Sequence, residues 1–314
     1  MRLVNYSRRG EAALGALSNG HVVDLHRVHQ AFLHRTECAD GPSAASHSVP
    51  TDLPGLLQGG ETAMAAARQA LNLFEEQRAT DYPADFAFPV SDVEFLAPVP
   101  RPGKIVCVGL NYRSHLAEIS DHVPEFPVLF NKAATSIIGH NQAIVLPRIS
   151  RQVDYEGELA VVIGRRGKYI PEKNALSYVA GYTCANDVSA HDIEFRTSQW
   201  TSGKMLDTFC PLGPVLLTAD EAPDPDRLRL KTTLNGRTVQ DECTSDMVFP
   251  VPFLISYVSS LATLEPGDVI LTGTPAGIGC NRHPQVFLQA GDRLSVEIEG
   301  IGILANPVIE EEGR

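Results

Sequence analysis

The chain has no CxxC pair, and no two of its six cysteines (Cys38, Cys107, Cys184, Cys210, Cys243, Cys280) lie within four residues of each other. That spacing excludes a zinc knuckle or ribbon. A chain of 314 residues can bury a core without staples, so free thiols in a reducing compartment are expected. No apolar run approaches the roughly twenty residues of a membrane span. The opening Met1–Leu17 lacks the long apolar core of a secretory signal, and a cytosolic protein is expected. Positive charge is also in short supply, with 26 basic against 38 acidic side chains and a formal charge of -12. This balance opposes a nucleic-acid or anionic-membrane surface, although a local cationic pocket for an anionic metabolite is compatible with it. There is no Gly-Lys-Ser/Thr phosphate loop, no GxGxxG opening a βαβ unit and no GxSxG elbow. Internal repeats and heptads are absent too.

What is present is an ordinary globular composition, 43% apolar and 20% charged, with 25 Gly and 22 Pro to make turns. The length leaves room for about two domains. Met1–Tyr6, Ala12–Leu17 and Val22–Leu25 read as short strands, with a hairpin turn at Ser18-Asn19-Gly20. Thr36–Pro54, rich in Ser, Ala, Gly, Pro and His, reads as a loop. Over Gly60–Thr80 the spacing of Met64, Ala67, Leu71 and Phe74 predicts a helix. Val90–Leu96 reads as a further strand. Pro98, Pro100 and Pro102 mark a boundary between a small α+β domain at 1–97 and the remainder, 98–314. Strands then recur at Ile105–Leu110, Ala143–Leu146, Leu159–Gly164, Val179–Ala185, Val215–Leu217, Leu228–Leu234, Val269–Thr272 and Leu294–Ile298. A helix is expected around Phe253–Ser260. The fold class is therefore β-rich α+β.

The sharpest local signal is Asp154-Tyr155-Glu156-Gly157-Glu158 running into the apolar Leu159–Ile163. At period two, Glu156 and Glu158 project to one side, where they repel each other unless something compensates. A solvent-facing strand start and a divalent-cation site both fit. Asp187, in Asn186-Asp187-Val188-Ser189-Ala190, reads either as a helix cap or as a third carboxylate. Three convergent carboxylates would form a hard oxygen site suited to magnesium or manganese. His115 and Glu118 lie one turn apart if their segment is helical, so the carboxylate can orient the imidazole. A surface histidine on a short helix is the alternative. Lys132 and Lys204 either offset the carboxylates, bind a substrate carboxylate or lie at the surface, and Arg113 carries the same ambiguity. The Gly-rich turn Thr272–Gly279 permits close backbone approach, and the Thr274 hydroxyl can donate to a carboxylate.

Together these segments resemble the fumarylacetoacetate hydrolase family. The matching pieces are Gly109-Leu110-Asn111-Tyr112 with His115 and Glu118, then Phe130-Asn131-Lys132, Asp154–Leu159 and Asn186–Ala190. Gln199-Trp200, Gly203-Lys204, Asp207-Thr208, Pro211–Pro214 and Thr272–Gly277 follow in the family's order. The resemblance spans residues from about 98 to 310. It implies mixed β-sheets rolled around a metal-centred pocket, magnesium or manganese (sometimes calcium) as cofactor, and a homodimer. It implies Glu156, Glu158 and Asp187 as metal ligands and a His115–Glu118 catalytic dyad. Lys204 would stabilise developing negative charge, with Thr274, Lys132, Arg113 and Tyr112 on the substrate side. His191 and Glu194 depart from the arginine and glutamine frequent at those positions, and Ala133–Ser136 departs as well.

The reaction this implies first is hydrolysis of the carbon–carbon bond of an acylpyruvate or related 2,4-diketo acid, releasing pyruvate. His115 would take a proton from water. Oxaloacetate decarboxylation and hydration or isomerisation of 2-oxo acids use the same enolate chemistry and stand as alternatives. A non-catalytic metabolite binder is disfavoured by the presence of every polar role.

Overall fold

A computed structural model describes residues 1–40, 48–77, 85–119, 122–222 and 224–312, with side chains of 35–40 and 77 left out. The N-terminal hairpin pairs Arg2–Arg8 with Glu11–Ser18, and the latter pairs with His21–Asp24. Its second turn is the expected one: Asn19 and Gly20 have φ of 49° and 77°, the left-handed pair that matches strand twist. The helix Leu25–Asp40 runs through the first part of the expected 36–54 loop. No breaker occurs before Gly41-Pro42, so composition alone placed that loop too early. Residues 41–47 lie outside the described residues. Leu53 and Pro54 already belong to the helix Leu53–Gln58, which Asp52 caps by accepting from Gly55 N at 2.7 Å. Helix Gly60–Gln77 follows as expected, and the end of that prediction (78–80) lies outside the described residues. The expected strand at 90–96 is interrupted. Ala87–Pro89 and Glu94–Leu96 are strands, separated by a turn at Val90–Asp92.

The main sheet has 12 strands. Its order begins with Ala87–Pro89, His21–Asp24, Glu11–Ser18 and Arg2–Arg8, then Cys210–Thr218, Val179–Asn186, Gly157–Ile163, Val269–Leu271, Ile105–Gly109 and Val128–Lys132. It is mixed, since Val269–Leu271 runs parallel to Ile105–Gly109 while most other pairs are antiparallel. The N-terminal strands join the rest through Arg2↔Leu217 and Leu3↔Leu216, so the sheet crosses the boundary expected after residue 97.

The strand Gly157–Ile163 is buried along its whole length, because both faces of the sheet are covered. Ala160 and Val162 pack with Leu53, Leu56 and Leu212 on the face covered by the N-terminal helices. Leu159, Val161 and Ile163 pack on the opposite face with Leu254 and Val258 of helix Val251–Leu261. A second sheet of five strands contains Arg237–Cys243, Arg229–Leu234, Arg293–Ile298, Gly302–Glu310 and Ile144–Leu146. Its members Arg237–Cys243 and Gly302–Glu310 were not anticipated. The first is a mostly exposed polar edge strand, and the second carries Asn306 and Pro307 in its middle. The five cysteines with described side chains are free thiols. Among the described residues, no helix is long and apolar enough to cross a membrane. The architecture is the β-rich α+β class expected.

Candidate metal and active site

The carboxylates meet because of strand register. Gly157 pairs with Asn186 and Glu158 with Ala185, so Asp187 stands directly opposite Glu156. The Asp187 N–H closes the ladder onto the Glu156 carbonyl at 2.8 Å. Glu156, Glu158 and Asp187 are buried, and each offers an oxygen within 4.8 Å of the others. Like charges so placed destabilise a sheet unless they are compensated.

Two lysines supply most of the compensation. Lys204 Nζ lies 2.8 Å from Glu156 Oε1 and 3.0 Å from Asp187 Oδ2. Lys132 Nζ is paired with Asp187 Oδ1 and donates to the Val188 carbonyl at 3.0 Å. Burial pushes the Asp187 carboxyl up, but Lys132 and Lys204 together outweigh it and hold the group below the usual range. Burial likewise opposes the charge on Lys204, and Asp187 and Glu156 overcome it and raise its pKa well above the ordinary value. Glu156 is raised by burial, with Lys204 opposing and Asp187 adding to the rise.

Glu158 has no such partner. Among the described residues it accepts only the Gly273 N–H, at 2.7 Å, and burial with the neighbouring Asp187 and Glu156 charges pushes its carboxyl far up. Two ammonium groups against three carboxylates leave one carboxylate uncompensated. A divalent cation fits this all-oxygen set, and the donors suit magnesium or manganese. Gly273 is required for this contact. Its φ is +100°, and a Cβ there would lie 2.8 Å from Asn111 Cβ and 2.9 Å from the Val108 carbonyl oxygen. Gly273→Ala is expected to cost about 1–3 kcal/mol of stability in a denaturant titration and to loosen Glu158.

The dyad residues lie on the short helix Arg113–Ile119. Ser114 N donates to Asp246 Oδ2 at 2.8 Å, fixing the start of that helix. His115 is buried, and its Nδ1 lies 3.5 Å from Glu118 Oε2, short of a hydrogen bond, with no other partner. Glu118 is held from the far side by Gly277 N at 3.0 Å and Asn281 Nδ2 at 3.2 Å. Burial raises the Glu118 carboxyl, but these donors and His115 outweigh it, leaving the group lowered. One turn, Thr272–Gly277, therefore supplies a donor to Glu158 and another to Glu118. Asn111 ties the helix start to this turn. Its side chain donates to the Thr272 carbonyl at 2.7 Å and the Phe249 carbonyl at 3.1 Å, and accepts from Phe249 N at 2.8 Å.

Several substrate-side candidates also make contacts within the fold. The Arg113 guanidinium donates to the carbonyls of Asp246 and Met247 at 3.2 and 2.7 Å, since the chain folds back there. The Thr274 hydroxyl donates to the Gly157 carbonyl at 3.0 Å and accepts from Gln240 Nε2 at 2.8 Å. Its proton is thus committed inside the fold. Lys132 is completely buried and acts as the counter-ion of Asp187. Tyr112 is buried too, yet its hydroxyl has no partner, and burial and the Glu158 charge push its phenol far up. Lys204 retains one N–H beyond its two carboxylate bonds.

Sequence reasoning missed several supporting groups. Ser189 Oγ lies 2.9 Å from Glu156 Oε1, and Asn186 Oδ1 accepts the Glu156 N–H at 2.9 Å. Gln240, on the unanticipated edge strand, joins Gly157 N to Thr274. His191 and Glu194, singled out as departures, touch each other: His191 Nδ1 lies 2.8 Å from Glu194 Oε2 and its Nε2 lies 3.1 Å from Asp154 Oδ2. Burial opposes a charge on His191, but Asp154, Cys280 and Glu194 outweigh it and raise its pKa to about 12.

Comparison with known proteins agrees with this arrangement. The sequence profile of the fumarylacetoacetate (FAA) hydrolase C-terminal domain matches residues 104–309. The mitochondrial oxaloacetate tautomerase Fahd2a of Rattus norvegicus is 46% identical over 263 residues, covering 83% of this chain and 81% of the relative. Fumarylacetoacetate hydrolase from Exiguobacterium antarcticum superposes with a TM-score of 0.78 at 34% identity, over 99% of this chain and 100% of that one. Maleylpyruvate hydrolase from Sphingobium sp. SYK-6, solved with manganese(II) and pyruvate, superposes at 0.75 with 27% identity, over 99% and 100%. The expected cytosolic location is overturned by the oxaloacetate tautomerases of rat, cattle and human among the curated relatives, which are mitochondrial proteins. Mitochondrial addresses are amphipathic and basic, so a search for a secretory apolar core does not register them. By its profile match, its relatives and its fold, the chain belongs to the fumarylacetoacetate hydrolase family.

Proposed function

We propose that this chain is a divalent-cation-dependent enzyme that interconverts enol and keto forms of a small 2-oxo dicarboxylic acid of the oxaloacetate class. The observation that carries the reading is the buried set Glu156, Glu158 and Asp187 with Glu158 left uncompensated. A divalent cation held there would supply Lewis acidity toward a 2-oxo acid and leave the cluster, lysines included, with one net positive charge to meet the substrate carboxylate. The remaining Lys204 N–H would hold an oxygen that gains negative charge as the enolate forms. His115 Nδ1 faces Glu118, so Nε2 is the atom left to take a proton from the carbon beside the 2-oxo group and return it. Glu118 would orient the ring once the 3.5 Å approach tightens over substrate. The carboxylates, Lys204 and the dyad all lie in 98–314, which we read as the catalytic domain, with 1–97 as a smaller N-terminal one. A homodimer is the assembly we expect.

Tautomerisation takes precedence over the hydrolysis expected from sequence because the 46% identical relative is an oxaloacetate tautomerase. Hydrolysis is the second reading, favoured by the maleylpyruvate hydrolase likeness. One panel separates them: enol-oxaloacetate, keto-oxaloacetate, an acylpyruvate and fumarylpyruvate, each with magnesium and with manganese. Loss of the enol ultraviolet absorbance without release of carbon dioxide or pyruvate is expected. Rapid pyruvate release from the acylpyruvates, with no effect on enol-oxaloacetate, would replace this reading with the hydrolase.

A further inference from the structure

We propose that Asp154, His191 and Cys280 form a second cation site, distinct in chemistry from the carboxylate centre and selective for a thiophilic divalent ion of the zinc class. Strand pairing builds the first half. Val153 pairs with Ala190 and Asp154 with Ser189, so His191 follows opposite Gln152, whose carbonyl accepts the His191 N–H at 3.0 Å, and its ring reaches diagonally to Asp154 Oδ2 at 3.1 Å. The turn Gly279–Asn281 supplies the other half, because Gly279 N and Cys280 N donate to Asp154 at 2.9 and 2.7 Å. The imidazole nitrogen, the thiol sulfur and a carboxylate oxygen then lie within 4.8 Å of one another, with Asp154 and His191 buried and Cys280 half-buried.

The donor types and their support match a zinc-class ion. Nitrogen, oxygen and sulfur from three side chains, with a fourth position open, is an ordinary tetrahedral set. His191 Nδ1 faces Glu194 Oε2 at 2.8 Å, which leaves Nε2 directed at Asp154. A carboxylate behind a ligating imidazole is the usual outer support of such sites. Phe195 stacks on the ring at 5.5 Å and 8°, fixing its plane. Asp154 Oδ1 accepts from Tyr155 N and Gly279 N, whereas Oδ2 accepts one main-chain N–H, from Cys280, and faces His191 Nε2, so Oδ2 is the ligand oxygen and the ion replaces the His191 proton on it. Charge balances in the exchange: one divalent ion replaces two protons, from imidazolium Nε2 and from the thiol. Magnesium binds poorly to such donors, so the two centres sort ions by softness. Asn281 of the same turn also holds Glu118, through Nδ2 at 3.2 Å.

Cobalt(II) titration of the full chain, in excess magnesium to fill the hard centre, tests the site. One equivalent should bring up a near-ultraviolet thiolate-to-cobalt band and intense visible bands of low coordination number. Both should disappear in Cys280→Ser and in His191→Arg, whose guanidinium keeps a cation between Asp154 and Glu194 but cannot ligate. Thermal melts check that both variants are folded. Absence of the band in the wild type, or its survival in either folded variant, would overturn the site.

Discussion

Asp187→Asn is expected to lower stability by about 3–5 kcal/mol, the scale for breaking a buried ion pair by removing one partner. The substitution preserves shape and removes the charge. It leaves the fully buried Lys132 ammonium without an anionic partner, and Lys204 with Glu156 as its one paired carboxylate. At about 2 °C per kcal/mol for a chain of this size, the melting temperature should fall by roughly 6–10 °C. Divalent-cation affinity should fall as well, by at least the roughly 10–100-fold seen when only outer support is lost. Calorimetry reads both effects in one preparation. A variant that melts with the wild type would mean that Lys132 and Lys204 do not depend on Asp187 as their contacts indicate.

The dyad predicts a different pattern, with activity lost and the metal retained. His115→Ala should reduce kcat by roughly 10²–10⁴-fold, the ordinary worth of a positioned acid–base group. Glu118→Gln should cost the same or less, because it removes the charge facing Nδ1 while keeping a side chain that Gly277 N and Asn281 Nδ2 can still hold. Neither residue belongs to the carboxylate cluster, so manganese affinity should stay within a few-fold of wild type. Steady-state kinetics beside a manganese titration separates the roles. Undiminished turnover in His115→Ala would remove it as the base.

The legible parts of this molecule were those written within a single segment. The Leu159–Ile163 run announced a strand, which proves buried along its whole length, and the Glu156/Glu158 spacing placed two carboxylates on one side of it. Asp187 was harder, since its position opposite Glu156 depends on a register between strands that neither strand encodes alone. The edge strand Arg237–Cys243 escaped because its side chains are mostly polar and exposed, and with it went the role of Gln240. Arg113, Lys132 and Thr274 show a further limit. Their residue types suit an anionic substrate as well as an internal partner, and only the fold shows that Asp187 pairs with Lys132, as one of its readings had it, and that main-chain carbonyls accept from Arg113 Nη1 and the Thr274 hydroxyl. The His191–Glu194–Asp154 cluster combined two positions noted as departures with a third not linked to them, because only the fold brings them together.

The central claim is that the three-carboxylate pocket is the reaction centre for a 2-oxo acid, and Glu158→Gln tests it most directly. Glu158 pairs with no lysine, and the amide can still accept the Gly273 N–H, so the variant should fold and melt close to the wild type. The measurement is the manganese-dependent decay of enol-oxaloacetate absorbance, with melting temperature recorded alongside. The account predicts that wild type accelerates the decay and that a folded Glu158→Gln protein loses both manganese binding and the acceleration. A folded variant retaining the full manganese-dependent rate would contradict it.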